Sequence, residues 1–95
     1  MKILAILAAL FLSIGYGYAQ TYEKFVEKSF DFLDKNDLVS AEESLRAAMR
    51  LEPGNPNNYA LLMNLGTIQR RQGKLEDALL SYTAALSRHP NNEAI

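Results

Sequence analysis

The sequence predicts an all-α fold: tandem antiparallel helix-turn-helix repeats, preceded by a signal-peptide helix. Three observations predict it. No segment alternates with period two over a useful length. The turns are short and fall where breakers sit, at Lys35-Asn36, Pro53-Gly54-Asn55-Pro56, Gly73 and Pro90. The sequence also repeats itself. Ala41, Leu45, Ala48, Met49 and Pro53 return 37 residues later as Ala78, Tyr82, Ala85, Leu86 and Pro90, and Tyr22 and Leu38 return as Tyr59 and Leu75. Pro56-Asn57-Asn58-Tyr59-Ala60 returns as Pro90-Asn91-Asn92-Glu93-Ala94 after 34 residues, and the difference is the extra loop Gly54-Asn55-Pro56. The basic period is therefore 34, within the range of repeat architectures.

Each element has its own reasons. Met1-Lys2 is a one-charge start, and Ile3 to Ile14 is apolar apart from Ser13. Gly15, Gly17 and Ala19 follow, the positive, apolar, small-residue order of a secretory signal peptide, with cleavage expected between Ala19 and Gln20. The apolar run is far shorter than the ~20 residues that span a bilayer. Export to the periplasm or the cell exterior is the expectation. An uncleaved signal anchor, which would tether the chain to a membrane, and a buried N-terminal helix are the alternatives. The first helix is expected from about Tyr22 to Asp34. The second runs from about Leu38 to Leu51, with Asp37 as N-cap and Pro53 beyond its end. The third runs from about Asn58 to Gln72 and stops at Gly73. The fourth runs from about Leu75 to Arg88, with Glu76 and Asp77 in its first turn. Residues 1–19 are then a signal segment, 20–55 the first unit with its loop, 56–92 the second, and 93–95 the start of a third.

Composition excludes several classes of work. The chain has 95 residues, 10 Lys+Arg, 11 Asp+Glu, one His and no Cys. A net charge of −1 removes the electrostatic case for nucleic acid. Without cysteine there is no disulfide, thiolate metal site or thiol nucleophile. His89 has no spaced partner, the serines lack a nucleophile elbow, and no glycine-rich phosphate loop follows a strand. Glu42/Glu43 and Glu76/Asp77 read as exposed complements to helix dipoles. No catalytic residue, metal ligand or cofactor is expected. Charge is uneven: residues 22–55 carry 5 Lys+Arg against 8 Asp+Glu, and residues 56–92 carry 4 against 2.

The two units resemble tetratricopeptide repeats. That family's 34-residue unit sets a large residue, a Leu, a small residue and an aromatic along its first helix, then Ala, an aromatic, Ala and Pro along and after its second. The second unit supplies Leu62, Leu65, Gly66, Ala78, Tyr82, Ala85 and Pro90, with Gln69 in place of the first aromatic. The first supplies Phe25, Ser29, Phe32, Ala41, Leu45, Ala48 and Pro53, with Lys28 where Leu is expected and Asn36 where Gly makes the turn. Small residues at 66, 78 and 85 let helix axes approach closely, and Leu62, Leu65, Tyr82 and Leu86 are expected to fill the space between the helices.

The resemblance implies a protein or peptide partner in a concave groove lined by the first helix of each unit. The positions opposite the packing face are Glu23, Val26, Glu27, Phe30, Leu33 and Asp34, then Ala60, Met63, Asn64, Thr67, Arg70 and Arg71. Val26, Phe30, Leu33 and Met63 would hold apolar anchors. Asn64, Thr67, Arg70 and Arg71 would line the polar part, with Asn64, Arg70 and Arg71 gripping a carboxylate or backbone. The competing reading rotates the first helix so that Phe30 and Leu33 join the core and Lys28 turns to water. A third reading gives the stripe to a segment N-terminal to it. The family's carboxylate grip is incomplete, because Val26 and Phe30 stand at two of its basic positions. No capping helix follows Leu79, Leu80 and Tyr82, so self-association through that end is a further expectation. Functionally, the resemblance implies a non-enzymatic interaction module. The alternative is the N-terminal repeat portion of a larger exported protein whose downstream domain carries an activity.

Overall fold

Four helices follow one another in the order α1 (Tyr22–Asp34), α2 (Leu38–Leu51), α3 (Asn58–Arg71) and α4 (Leu75–Arg88). The computed structural model describes residues 21–88. The expected signal segment with its Ala19/Gln20 junction, His89, Pro90 and the expected start of a third unit lie outside the described residues. Helices α1 and α2 pack as one hairpin, α3 and α4 as a second, and α2 lies against α3 to join them.

Local chemistry starts and stops each helix. The Thr21 hydroxyl accepts from the Lys24 amide at 3.1 Å, and the Asp37 carboxylate accepts from the Ser40 amide at 3.1 Å. Each cap satisfies one of the donors that a helix start leaves without a partner. The Asn57 amide at the head of α3 instead donates to the Asn55 side chain at 2.8 Å. In the first turn of α4, Glu76 and Asp77 complement the helix dipole. The two hairpin turns are the same turn. Gly73 takes φ +81° and Asn36, its counterpart one unit earlier, takes φ +59°. Glycine adopts that left-handed conformation without cost, and asparagine tolerates it better than most residues. The amides of Asn36 and Asp37 donate to the carbonyls of Leu33 and Phe32, just as those of Gly73 and Lys74 donate to Arg70 and Gln69.

The core fills the space between α1, α2 and α3. Tyr22, Ala41, Leu45, Ala48, Leu61, Leu65 and Ile68 are buried, and Phe25, Val26, Phe32, Leu33, Leu38, Met49 and Leu62 pack against them half-exposed. Ala78 and Ala85 are buried on α4. At Gly66 the Tyr82 ring comes so close that an added Cβ would lie 2.8 Å from it. Ser29 fills the small slot of the first unit and satisfies its buried hydroxyl on the Val26 carbonyl at 2.6 Å.

Two expectations need correction. Leu86 does not fill the space inside its hairpin; it is 59% exposed, because its helix face has no neighbour among the described residues. Glu42 is not an exposed first-turn carboxylate. It is buried on the side of α2 that meets the second unit, where four side chains donate to it.

Candidate functional site

The first helices of the two units form the walls of an open groove, and the loop between units forms one end. Its cavity is about 400 Å³ and is lined by Tyr22, Glu23, Val26, Glu27 and Phe30 from α1 and by Asn55, Asn57, Ala60, Leu61 and Asn64 from the loop and α3. The i, i+4 spacing of Val26 and Phe30 on α1, and of Ala60 and Asn64 on α3, sets these side chains on one face of each helix.

A buried polar clasp fixes that end. The Tyr22 hydroxyl donates to Asn58 Oδ1 at 2.8 Å. Asn58 Nδ2 donates to the Glu52 carbonyl at 2.8 Å and to the Pro53 carbonyl at 3.3 Å. One asparagine therefore ties α1, the end of α2 and the start of α3 together. Burial, with Glu52 and Glu23 nearby, pushes the Tyr22 phenol above its ordinary value, so the hydroxyl keeps the proton it donates.

The sequence-predicted groove residues divide. Val26, Phe30 and Asn64 come together on the cavity. Phe30 is 49% exposed there, while Val26 and Leu33 pack against the core. Lys28 points to solvent with its ammonium 5.6 Å from the Phe25 ring centroid. Met63 is exposed on α3 beyond the cavity. The Thr67 hydroxyl lies 2.8 Å from the Tyr82 hydroxyl. Thr67, followed by the Arg70 guanidinium, draws the Tyr82 phenol below its ordinary value. Arg71 donates to Asn36 Oδ1 at 3.1 Å and so braces the first turn. Arg70 is exposed.

The second polar centre lies at the α2–α3 contact. Glu42 Oε2 accepts from Gln69 Nε2 at 3.1 Å and from Arg46 Nη2 at 2.9 Å. Glu42 Oε1 accepts from Gln72 Nε2 at 2.8 Å and from Lys74 Nζ at 3.1 Å. Ser81 on α4 donates to Gln69 Oε1 at 2.6 Å. Burial pushes the Glu42 carboxyl up, but the donors Gln72, Gln69, Arg46 and Lys74 outweigh it and hold the group down at about 2. Gln69, the departure from the aromatic pattern, thus joins both units. That substitution was visible in the sequence, as was the Pro-Asn-Asn recurrence that marks Asn58. Nothing local distinguished Glu42 from Glu43.

The tetratricopeptide repeat family model matches residues 59–92, the second unit. A crystal structure of a tetratricopeptide repeat protein from Parabacteroides merdae ATCC 43184 superposes with a TM-score of 0.72 at 75% sequence identity, across 75% of this chain. The chain belongs to the tetratricopeptide repeat family. It spans 28% of the length of that solved relative. No curated protein matches it. Tetratricopeptide units generally mediate contact between proteins, and the match indicates no catalytic family. Among the described residues, no group of His, Cys, Asp and Glu is placed to hold a metal ion.

Proposed function

We propose that this chain is an exported, non-enzymatic interaction module whose groove takes an extended or helical peptide with an apolar anchor. The observation that carries the reading is Phe30, a large aromatic left half-exposed on a concave wall beside Val26, Ala60 and Asn64. Apolar surface in a hollow with amide groups at its edge suits a peptide side chain and its backbone. Glu23 and Glu27 on the α1 wall favour a basic residue beside that anchor. Arg70, exposed beside the Tyr82 phenol, is the arginine of this pair that meets an acidic group, whereas Arg71 is engaged by Asn36. The apolar segment after Lys2 and the Gly17-Tyr18-Ala19 site support export.

The test is capture of partners from the exported fraction by the chain and two variants. Phe30→Glu is expected to weaken binding of the captured peptide by about 2 kcal/mol, roughly thirtyfold, with unchanged circular dichroism. Arg70→Glu is expected to alter selectivity toward acidic peptides. Equal capture by the chain and Phe30→Glu would remove the groove from the reading. Mass spectrometry of the mature N-terminus tests export: a start at Gln20 fits, and an intact Met1 fits a membrane tether.

A second reading is favoured by the solved relative, of which this chain covers 28%. On it, the two units are the first of a longer exported repeat array.

A further inference from the structure

Three of the chain's five arginines converge on one hollow that the inner groove does not use. The hollow measures about 550 Å³ and lies on the outer side of the stack, where α2 and α4 flank α3. Arg46 and Arg50 on α2 and Arg88 on α4 edge it, over an apolar surface of Met49, Pro53 and Leu62. Among the described residues, no carboxylate lines it. Leu62 belongs to a face of α3 turned well away from Ala60 and Asn64, which line the inner groove. A second hollow of about 250 Å³ continues the first, since Arg46 and Leu62 belong to both. Leu65, Leu80 and Ala84 carry its apolar floor on toward Asp77. Leu80 is 69% exposed. The two together make one groove, cationic at one end, apolar along its middle and closed by a single acid at the other.

Helix dipoles explain part of this charge. Arg50 and Arg88 stand in the last turns of α2 and α4, where a cation complements the negative end of a helix. The dipoles do not explain why both edge the same hollow as Arg46, which lies in mid-helix and is held by Glu42 at 2.9 Å. Glu42 also pairs with Lys74 at 3.1 Å, so one carboxylate stands against two cations. Arg50 and Arg88 have no ion-pair partner among the described residues. The hollow between α1 and α2 is built differently: Arg50 edges it too, but with Lys28 and Lys35 it is set among Asp31 and Glu43. Only the outer groove gathers cations of one sign over apolar surface. A guanidinium is weakly hydrated and meets a carboxylate with two parallel hydrogen bonds, which suits it to pairing beside leucines.

We propose that this outer groove is a second docking surface, and that its occupant is an acidic segment of another protein. Carboxylates of that segment meet Arg50 and Arg88, and an aliphatic side chain beside them lies on Leu62 and Leu80. Charge complementarity chooses the occupant. Nucleic acid and anionic lipid present phosphates over a broad surface and call for many cations, whereas this chain has a net charge of −1 and offers three arginines around a hollow. A second copy would bring its acid-rich first unit, where Lys24, Lys28 and Lys35 are interspersed with the acids. The inner and outer surfaces share no lining residue, so the outer one stands or falls by its own test.

The protein is expressed from its complete gene. A phage-displayed library of random peptides is selected on it after depletion on the Arg50→Gln/Arg88→Gln variant. Both arginines are exposed, so the variant is expected to keep its circular dichroism. Selected peptides are expected to carry paired Asp or Glu next to Leu, Ile or Met. In fluorescence anisotropy, a selected peptide is expected to bind that variant about tenfold or more weakly, and to regain part of the loss with Arg50→Lys/Arg88→Lys. Leu80→Ser is expected to weaken it about fivefold by removing apolar contact. Lys24→Glu, an equal change of net charge on α1, is expected to alter it by less than about twofold. Selection without acidic residues overturns the proposal. So does an equal loss in Lys24→Glu, which would make the attraction one of net charge. Tighter binding to phosphatidylglycerol vesicles or to a DNA oligonucleotide, lost in the Gln variant, gives the arginines to another class of partner. Self-association in sedimentation velocity that the Gln variant abolishes gives the groove to a second copy. Each of these overturns the proposal.

Discussion

Glu42 shows how one residue can be costly to bury and yet belong in the interior. Its carboxylate is 8% exposed, a placement that disfavours the charged form. Four donors meet its two oxygens, and two of them, the Lys74 and Arg46 side chains, keep nearly half their surface in water. The cations therefore hydrate while they pair, and the amides of Gln69 and Gln72 complete the shell. Glu42→Ala is expected to cost about 1–3 kcal/mol, because Gln69 then keeps a buried amide donor without an acceptor. Gln69→Leu is expected to cost a similar amount by removing a donor from Glu42 and the acceptor of Ser81. The double substitution Glu42→Leu/Gln69→Leu should cost less than the two singles added, since it removes donor and acceptor together. Urea unfolding of the four proteins measures the coupling; strict additivity would show that the two residues do not act as a pair.

At the scale of the helix, small residues set the spacing and large ones fill what remains. Ala41 and Ala48 on α2, and Ala78 and Ala85 on α4, are at most 3% exposed, so each helix meets its neighbour along a row of methyl groups. Ala78→Leu or Ala85→Leu is expected to overpack the second hairpin by about 1–3 kcal/mol, a drop of some 4–8 °C in thermal midpoint per kcal/mol for a domain of this size. Unchanged midpoints would count against close packing at those sites. The helices, the two turns and these alanines were legible because their causes are local or periodic: an N-cap at Asp37, a left-handed residue at Asn36 and Gly73, a recurrence 37 residues apart. The groove was legible in part. Helical phase placed Val26, Phe30 and Asn64 on the inner face, but phase alone could not show that Val26 and Leu33 also reach the core. Nor could it show that Arg71 would turn to Asn36. Those outcomes depend on how α1 and α3 are set relative to each other, to which the packing of both on α2 and the Tyr22–Asn58 hydrogen bond contribute. Glu42 and Glu43 were indistinguishable for the same reason: they differ only in which neighbour they face.

For the whole molecule, the joint between units is the part to examine in acid, because the buried core of Tyr22, Ala41, Leu45, Ala48, Leu61, Leu65 and Ile68 spans it and a buried carboxylate lies beside that core. Two polar devices hold the joint, the Tyr22–Asn58 clasp at one end and the Glu42 cluster at the other. They respond differently to acid. Tyr22 sits above its ordinary value, so its phenol stays protonated on acidification and the clasp holds. Glu42 has an ordinary value of 4.5 and a folded value of about 2, so in acid the unfolded chain takes up a proton before the folded one does. Its stabilisation is complete above pH 4.5, declines as the pH falls, and is gone below about 2. At about 1.4 kcal/mol per pKa unit, the cluster stands to lose about 3 kcal/mol over that window. The loss falls on the contact between units rather than within either hairpin, so acid should separate the two in stability before it unfolds either. Hydrogen exchange at pH 7 is expected to give α2 and α3 a common opening free energy, and at pH 3 distinct values for the two hairpins. Glu42→Gln should be weaker at pH 7 and should lack the acid-dependent part of that splitting. A common opening energy that survives at pH 3, with the same pH profile in Glu42→Gln, would mean that apolar contact through Leu45, Leu61 and Ile68 couples the units without the buried carboxylate.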